Sequence, residues 1–417
     1  MHRSGSAAIR ILLIILGINF LLDWYVLSGL KSLKTGRRWP LVKWGYLIIS
    51  LGVTVLFVAG VPSYRSARGM TPYHEWMLSL FVVFFITKVF FVVVLSLGDI
   101  GRLFYGIGRR LFGTGAGAGS LIPGRRRFIS DAAVLFAAIP FTGFLYAMLK
   151  GKYDYRVHRQ TVYFDDLPEA FDGFTITQLS DIHSGSFDNT TAVQRGIDLA
   201  KEQKSDLFVF TGDLVNNAAW EIEPYIAHFG SLKAPYGQFS VLGNHDYGDY
   251  IEWASPEEKA ANLEKLKAHH AALGYRLLLD EHVLLEKNGQ KIALVGVQNW
   301  GKGFIQIGDL DKALEGVDKD AFKICLSHDP THWEEKIRYH DTTIHLTLAG
   351  HTHGAQFGVE TDKLRWSPVA YRYLDWAGLA NEKNRFLYVN RGFGFLAFSG
   401  RLGIWPEITV ITLKKTV

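Results

Sequence analysis

The sequence predicts an α/β domain of two stacked mixed sheets flanked by helices, a four-layer α/β/β/α sandwich, preceded by a four-helix transmembrane region. Three observations predict it. Within residues 1–150 of the 417-residue chain, four apolar runs approach or reach the roughly 20 residues that cross a bilayer as helix. Beyond them, strand patterns alternate with helix patterns. Five short polar turns, Asp181-Ile182-His183, Gly212-Asp213, Gly243-Asn244-His245-Asp246, Ser327-His328 and Gly350-His351-Thr352-His353, each closely follow an apolar, β-prone run.

The membrane region comes first, with helices expected over 9–30, 42–61, 76–97 and 132–149. As buried helices of a soluble domain these runs would leave a large apolar surface uncovered, because no amphipathic partners intervene. Trp24 and Tyr25, Trp39 and Trp44, and Tyr73 with Trp76 fall near the ends of runs, where aromatic side chains sit at headgroup level. The formal charge of +5 does not call for nucleic acid, since much of the basic excess flanks the apolar runs. Lys31, Lys34, Arg37 and Arg38 follow the first run, and Arg102, Arg109, Arg110, Arg125, Arg126 and Arg127 follow the third. The N-terminus and the second connection carry only Arg3, Arg10, Arg65 and Arg68. The richer connections are therefore expected in the cytoplasm, which makes this a multi-pass cell-membrane protein with residues 151–417 on the outer, periplasmic side.

Arg125-Arg126-Arg127 before the fourth run also resembles an internal twin-arginine export signal. Gly113–Gly119 reads as a flexible connector, because it follows no strand and lacks the lysine of a phosphate-cradling loop. Asp23 and Lys88 fall inside apolar runs and are expected to form a structural ion pair. Cys325 stands alone in a buried-strand pattern, so no intramolecular disulfide framework exists.

The second region, 151–417, opens on an edge strand over 156–164. Strands follow at Phe174–Leu179, Leu207–Thr211, Phe239–Leu242, Phe322–Leu326, Ile344–Ala349, Phe386–Val389 and Ile408–Leu413. Helices are expected over 191–204, 220–232 and 255–273, with His269 and His270 solvated on the last. His282–Asn299 reads as a hairpin turning at Asn288-Gly289.

Taken singly, an Asp after a strand is commonly a turn or cap residue, and a lone His a satisfied polar side chain. Five such turns in fixed order, each closing a strand, are another matter. Carboxylate oxygen, imidazole nitrogen and amide oxygen are what two adjacent hard or borderline cations take, and such a pair clamps the oxygens of a phosphoryl centre. The wording DxH, GD, GNHD, SH and GHTHG, in this order, closely resembles the calcineurin-like metallophosphoesterase superfamily, in its membrane-anchored bacterial type, from about Gln160 to the C-terminus.

The resemblance implies Asp181, His183 and His353 on one metal, Asn244, His328 and His351 on a second, and Asp213 between them. It implies two divalent or trivalent ions, Mn, Fe, Zn or Co. It leaves His245 free as a general acid or phosphate contact, with Asp246 orienting it. The expected reaction is metal-dependent hydrolysis of a phosphodiester or pyrophosphate, with no covalent intermediate. Ser184 and Ser327 have no triad context and read as turn residues.

Between the last histidine motif and the final strand, aromatics (Trp366, Tyr371, Tyr373, Trp376, Phe393, Phe395) alternate with Arg372, Arg391 and Arg401. Either these pack beneath a long excursion or they form an apolar rim with an arginine for phosphate. On the second reading Arg391, Arg401, Trp366 and Tyr371 bind substrate, and the expected partners are the bilayer and a phosphorylated, lipid-linked substrate. No basic run tracks a nucleic-acid groove, so nucleic acid is not expected. The alternatives are a broad envelope phosphomonoesterase and a non-catalytic membrane scaffold on the same fold.

Overall fold

The computed structural model describes residues 2–33, 36–66, 69, 71–112, 123–361 and 363–416. Lys34, Arg68 and the connector at 113–119 lie outside the described residues. By internal contacts the chain divides into a unit of residues 1–62 and 77–146 and a unit of residues 63–76 and 147–417.

The first unit is helical. Four helices, α1 (His2–Leu30), α2 (Trp39–Ser66), α3 (Pro72–Phe112) and α4 (Pro123–Leu149), are long and apolar enough to cross a membrane. They run past the expected limits into their polar flanks. The 41-residue α3 would measure about 60 Å, twice the roughly 30 Å of hydrocarbon. Val26, Phe91, Leu95, Ala133 and Ala137 form the unit's apolar core. Lys88 Nζ lies 2.8 Å from Asp23 Oδ1 and donates to Asn19 Oδ1 at 2.9 Å and Ser50 Oγ at 2.6 Å. Tyr46 and Ser50 donate to the same carboxylate. This is the ion pair expected from sequence, with its remaining polar atoms bonded, as a charge at membrane depth requires.

The second unit holds two six-stranded mixed sheets. In chain order the strands are β1 (Arg156–Phe164), β2 (Thr175–Leu179), β3 (Leu207–Phe210), β4 (Gln238–Ser240), β5 (Arg276–Leu277), β6 (Glu281–Lys287) and β7 (Gln290–Gly296). Then come β8 (Lys323–Leu326), β9 (Leu346–Ala349), β10 (Val359–Glu360), β11 (Arg365–Trp366), β12 (Gly378–Glu382), β13 (Arg385–Val389) and β14 (Glu407–Lys415). One sheet runs β1-β14-β2-β3-β4-β5 and the other β12-β13-β9-β8-β7-β6. Strands β2, β3 and β4 are parallel neighbours, as are β7, β8 and β9. The ligand-bearing turns therefore leave the same end of each sheet.

Between the sheets lies a core that includes Val162, Ile176, Val209, Leu294, Ile324, Leu348 and Ile411. Helices α5 (Thr190–Glu202), α6 (Ile226–Phe229) and α7 (Pro256–Ala272) belong to the first sheet's side, with Val193, Ile197 and Leu266 in one apolar cluster. The short α8 (Leu310–Ala313) and α9 (Pro330–Glu335) cover the other, through Leu310 and Trp333. This completes the α/β/β/α order.

Local chemistry explains the limits of these elements. Asn189 caps α5 by accepting from Ala192 N, and Ser255 caps α7 by accepting from Glu258 N, with Pro256 opening the helix. Asn288 and Gly289 both take positive φ, 50° and 78°, in the two-residue turn of the β6–β7 hairpin. The helix expected over 220–232 is instead a 3-10 stretch, Ala219–Tyr225, followed by one α turn. Pro224 has no N–H to continue an α ladder there. His270, expected in solvent, is fully buried and shares a 2.9 Å hydrogen bond with Ser240 Oγ.

Candidate metal centre

Five of the motif side chains sit on backbone that L-residues seldom adopt. Asp181 (φ 52°), His183 (47°), Asp213 (60°), His351 (72°) and His353 (51°) are all left-handed. Each such residue costs on the order of 1–3 kcal/mol and persists only where surrounding contacts over-determine it. Asp181 shows how: both carboxylate oxygens accept from His351 N at 2.9 Å, while its own carbonyl accepts from Gly394 N at 2.9 Å. The glycines beside these turns are steric necessities. A Cβ on Gly350 would strike Ser180 Oγ and the Asp181 carboxylate, and one on Gly243 would strike the Asp213 carboxylate.

The result is two buried clusters. Asp181, His183 and His353 form one, and Asp213, His328 and His351 the other, with the candidate ligand atoms of each within 4.8 Å of one another. Asp213 Oδ2 lies 3.5 Å from His183 Nε2 and 3.2 Å from His328 Nε2, so it faces both. Among the buried polar atoms without a hydrogen-bond partner are three on candidate ligands: His183 Nε2, His353 Nε2 and Asn244 Oδ1. An unsatisfied buried acceptor costs about 1–3 kcal/mol, and a cation is what this donor set fits.

The opposite edges of the rings are held. His183 Nδ1 meets Asn216 Oδ1 at 3.1 Å, and His328 Nδ1 meets the Thr211 carbonyl at 2.7 Å. His351 Nε2 meets Tyr373 Oη at 2.8 Å, which leaves Nδ1 facing His328 Nε2 at 3.2 Å. Asn244 Nδ2 donates to Tyr250 Oη at 2.7 Å. Such partners fix ring tautomer and aim, and so decide which nitrogen a cation meets.

Charge follows burial and neighbours. Burial pulls His328 down, but the Asp213 carboxylate overrides it and pushes the imidazole up to about 10. A proton held there has to leave when a cation takes its place. Burial would push Asp181 up, yet His353 and His328 hold it below the usual carboxylate range.

His245 keeps clear of both clusters. Its Nδ1 is 2.7 Å from the Asn216 carbonyl, its backbone N–H donates to Asp213 Oδ1 at 2.8 Å, and its ring packs 4.4 Å from that of Tyr250. Burial holds it below the ordinary histidine value. Asp246 does not orient the His245 ring as the resemblance implied. Its carboxylate accepts from Gly243 N (2.8 Å), Asp213 N (2.9 Å) and Leu214 N (2.8 Å), tying two ligand turns together. Asn216 does the orienting, a role invisible in sequence because it acts through a backbone carbonyl.

The four residues expected to bind substrate are placed otherwise. Arg391 is buried between Glu360 and Glu407, donating to Glu407 Oε2 at 2.5 Å. Burial pushes Glu407 up, but Arg391 outweighs it and holds the carboxyl down at about 2. Arg401 is fully buried, donates to the Gly394 carbonyl and lies 3.1 Å from His353 Nδ1, so it packs against a candidate ligand instead of facing solvent. Trp366 packs edge-on against Phe357, and Tyr371, 85% exposed, projects into solvent. The structure does not bring these two into the cluster. Phe393 and Phe395 belong to the core.

Residues outside the motifs border the site instead. Phe304 meets His351 edge-on at 4.6 Å, and the exposed Arg372 guanidinium lies over the rings of Phe304 and Tyr373 at 5.1 and 5.4 Å. Ser327, which could pass for a nucleophile, is buried and bonded to His332 Nδ1 at 2.8 Å.

Two family models match the chain. One, described as "Probable Calcineurin-like phosphoesterase, transmembrane domain", matches residues 9–152, and the other, described as "Calcineurin-like phosphoesterase", matches residues 174–355. Uncharacterized metallophosphoesterase YkuE of Bacillus subtilis is 28% identical over 303 residues, 70% of this chain and 98% of that protein. Phosphodiesterase YaeI of Escherichia coli is 27% identical over 294 residues, 69% of this chain and 98% of its own. A transmembrane protein with metallophosphoesterase domain from Danio rerio is 26% identical over 260 residues, 60% of this chain and 55% of its own.

Proposed function

The chain belongs to the calcineurin-like metallophosphoesterases, with a transmembrane domain of four helices, and from this premise we propose a membrane-anchored two-metal hydrolase of phosphodiester or pyrophosphate bonds. The observation that carries the reading is the shared carboxylate: Asp213 faces a histidine of each cluster while His245 is held outside both. Asp181, His183 and His353 would hold one cation, and Asn244, His328 and His351 the second. Bound there, the pair supplies a hydroxide at neutral pH and charge stabilisation for the phosphoryl oxygens.

The chain's own residues do the rest. Asn216 holds His245 by Nδ1, so Nε2 is the nitrogen available to the leaving oxygen. Arg372 is the arginine of the excursion that combines solvent exposure with contact to the aromatics around His351, and it grips a phosphate oxygen of the substrate. Leu364, Tyr371 and Leu374, exposed in the same excursion, support a lipid-linked substrate, because an apolar tail needs such a rim. The phosphodiesterase relative supports a diester over a monoester. The basic connections after α1 and α3 support an outward-facing catalytic unit.

Purified full-length chain, loaded in turn with Mn²⁺, Fe²⁺, Zn²⁺ or Co²⁺, is expected to hydrolyse lipid diphosphates and bis(p-nitrophenyl) phosphate faster than p-nitrophenyl phosphate. Replacing Arg372 by Ala should raise KM for the lipid diphosphate by about 10- to 100-fold, as loss of a hydrogen bond to a charged group of about 1.5–3 kcal/mol implies. Faster turnover of the monoester would convert the reading to a broad phosphomonoesterase. Metal-loaded protein inert to all three substrates would leave a scaffold.

A further inference from the structure

Glu75 stands in the first turn of α3, in the stretch 63–76 that packs as part of the catalytic unit. It is fully buried. Proximity to a helix N-terminus favours an acidic side chain but does not require burying it, and burial of a carboxyl group carries a cost of its own. Its surroundings supply a reason.

Ser186 Oγ donates to Glu75 Oε1 at 2.5 Å, and Asn216 Nδ2 donates to Ser186 Oγ at 3.0 Å. That amide leaves Asn216 Oδ1 to accept from His183 Nδ1 at 3.1 Å. The donors run one way, from imidazole to amide to hydroxyl to carboxyl. A carboxyl oxygen that accepts at the end sets the direction of the whole chain. With the direction set, His183 carries its proton on Nδ1, and the buried, unpartnered Nε2 offers its lone pair to the first cluster. Without it the serine hydroxyl can turn and donate to Asn216 Oδ1, from which it lies 3.4 Å, and the order is lost.

We propose that Glu75, from the start of the third membrane helix, is a positioning residue for the metal centre, acting through Ser186 and Asn216 to fix the His183 tautomer. This rests on the two-metal reading above and assigns part of that site to residues outside the phosphoesterase motifs. The same loop has a second tie that shares no hydrogen bond with this chain, although Lys152 and Asp188 feel the Glu75 charge: Asp188 accepts from Trp76 Nε1 at 2.9 Å, Lys152 Nζ at 2.6 Å and Tyr153 Oη at 2.7 Å. That tie provides the control.

The test titrates Co²⁺ into full-length protein in detergent, following the absorption bands of bound Co²⁺ and the thermal unfolding of the metal-free protein. Glu75→Ala should weaken Co²⁺ binding at one of two sites by about 10- to 100-fold and shift that site's band, as loss of a partner behind a ligand does. Glu75→Gln, which keeps an acceptor oxygen, should stay within about threefold of wild type. Asp188→Asn should leave both sites unchanged. Wild-type affinity in Glu75→Ala overturns the proposal, as does equal weakening in Glu75→Ala and Glu75→Gln. Equal weakening in Asp188→Asn also overturns it, because mere anchoring of the loop would then explain the effect. A wild-type chain that takes up no Co²⁺ would overturn the two-metal reading instead.

Discussion

At the scale of single residues, the site is a set of side chains held on costly backbone. Asp181, His183, Asp213, His351 and His353 carry positive φ, and neighbouring glycines leave no room for a Cβ beside the Asp181 and Asp213 carboxylates. Their identity was legible in sequence, because metal chemistry restricts ligands to few residue types. Their supports were not. Asn216, Tyr250 and Phe304 act through a carbonyl, a hydroxyl and a ring face, which many residues could offer, so composition gives no signal for them, and Tyr373 was read only as one of several aromatics near the last motif. The arginines show the same limit: three were readable near the last motif, but only burial separates Arg391 and Arg401 from the exposed Arg372. His245 carries the clearest prediction at this scale. His245→Ala should lower kcat by about 10²–10⁴-fold, the range for one general acid, while Co²⁺ stoichiometry stays at the wild-type value. Loss of bound Co²⁺ in that variant would place His245 among the ligands.

At the scale of elements, the ligand-bearing strands were read from sequence, whereas β5, β10, β11 and β12 were not. Strands β2, β3, β8 and β9 are short apolar runs buried on both faces, and each ends where a ligand turn begins. The stretch 219–229 has helical periodicity, yet Pro224 divides it. Helix α7 has the expected limits but a different buried face, since His270 enters the core and His269 does not. Burial, with a smaller contribution from His269, pulls the His270 pKa down to about 3. The folded chain therefore keeps His270 neutral while the unfolded chain protonates it below about 6.5. Above that value the histidine contributes no pH dependence. Between about 6.5 and 3 the unfolded state binds the extra proton, and stability falls by up to about 1.4 kcal/mol per pH unit. His270→Gln should flatten the acid limb of a thermal-unfolding profile over that window and leave it unchanged above pH 7. An equally steep limb in the variant would place the titration elsewhere, with His332, also buried and also held down at about 3, as the next residue to replace.

At the scale of the whole molecule, a membrane domain of four helices and a two-sheet catalytic domain share one chain, but the division does not fall at a single point. Residues 63–76, which take in the end of α2 and the start of α3, group by internal contacts with the catalytic unit. Because α4 leads directly into that unit, the α2–α3 connection and the end of α4 share one side of the membrane if each helix crosses once. On the outward-facing reading proposed above, that side is the cell exterior. An alkaline phosphatase fused after Val417 should be active, and a fluorescent protein that matures only in the cytoplasm should stay dark at the same position. The reverse pattern would turn the catalytic unit inward and exclude substrates confined to the outer leaflet.

The sequence by itself determined the family, the candidate ligands, the apolar helices and where the ligand-bearing strands lie along the chain. Each of these depends on residue type and local spacing, which are written along the chain. Only the tertiary structure decided which arginine faces the site, that Asp246 ties loops together, and that Glu75 stands behind His183. Those decisions depend on what is buried against what, across separations of up to 111 residues in the relay from Glu75 to Ser186. A hydrogen bond has direction only once donor and acceptor are brought together, and no local pattern records that meeting.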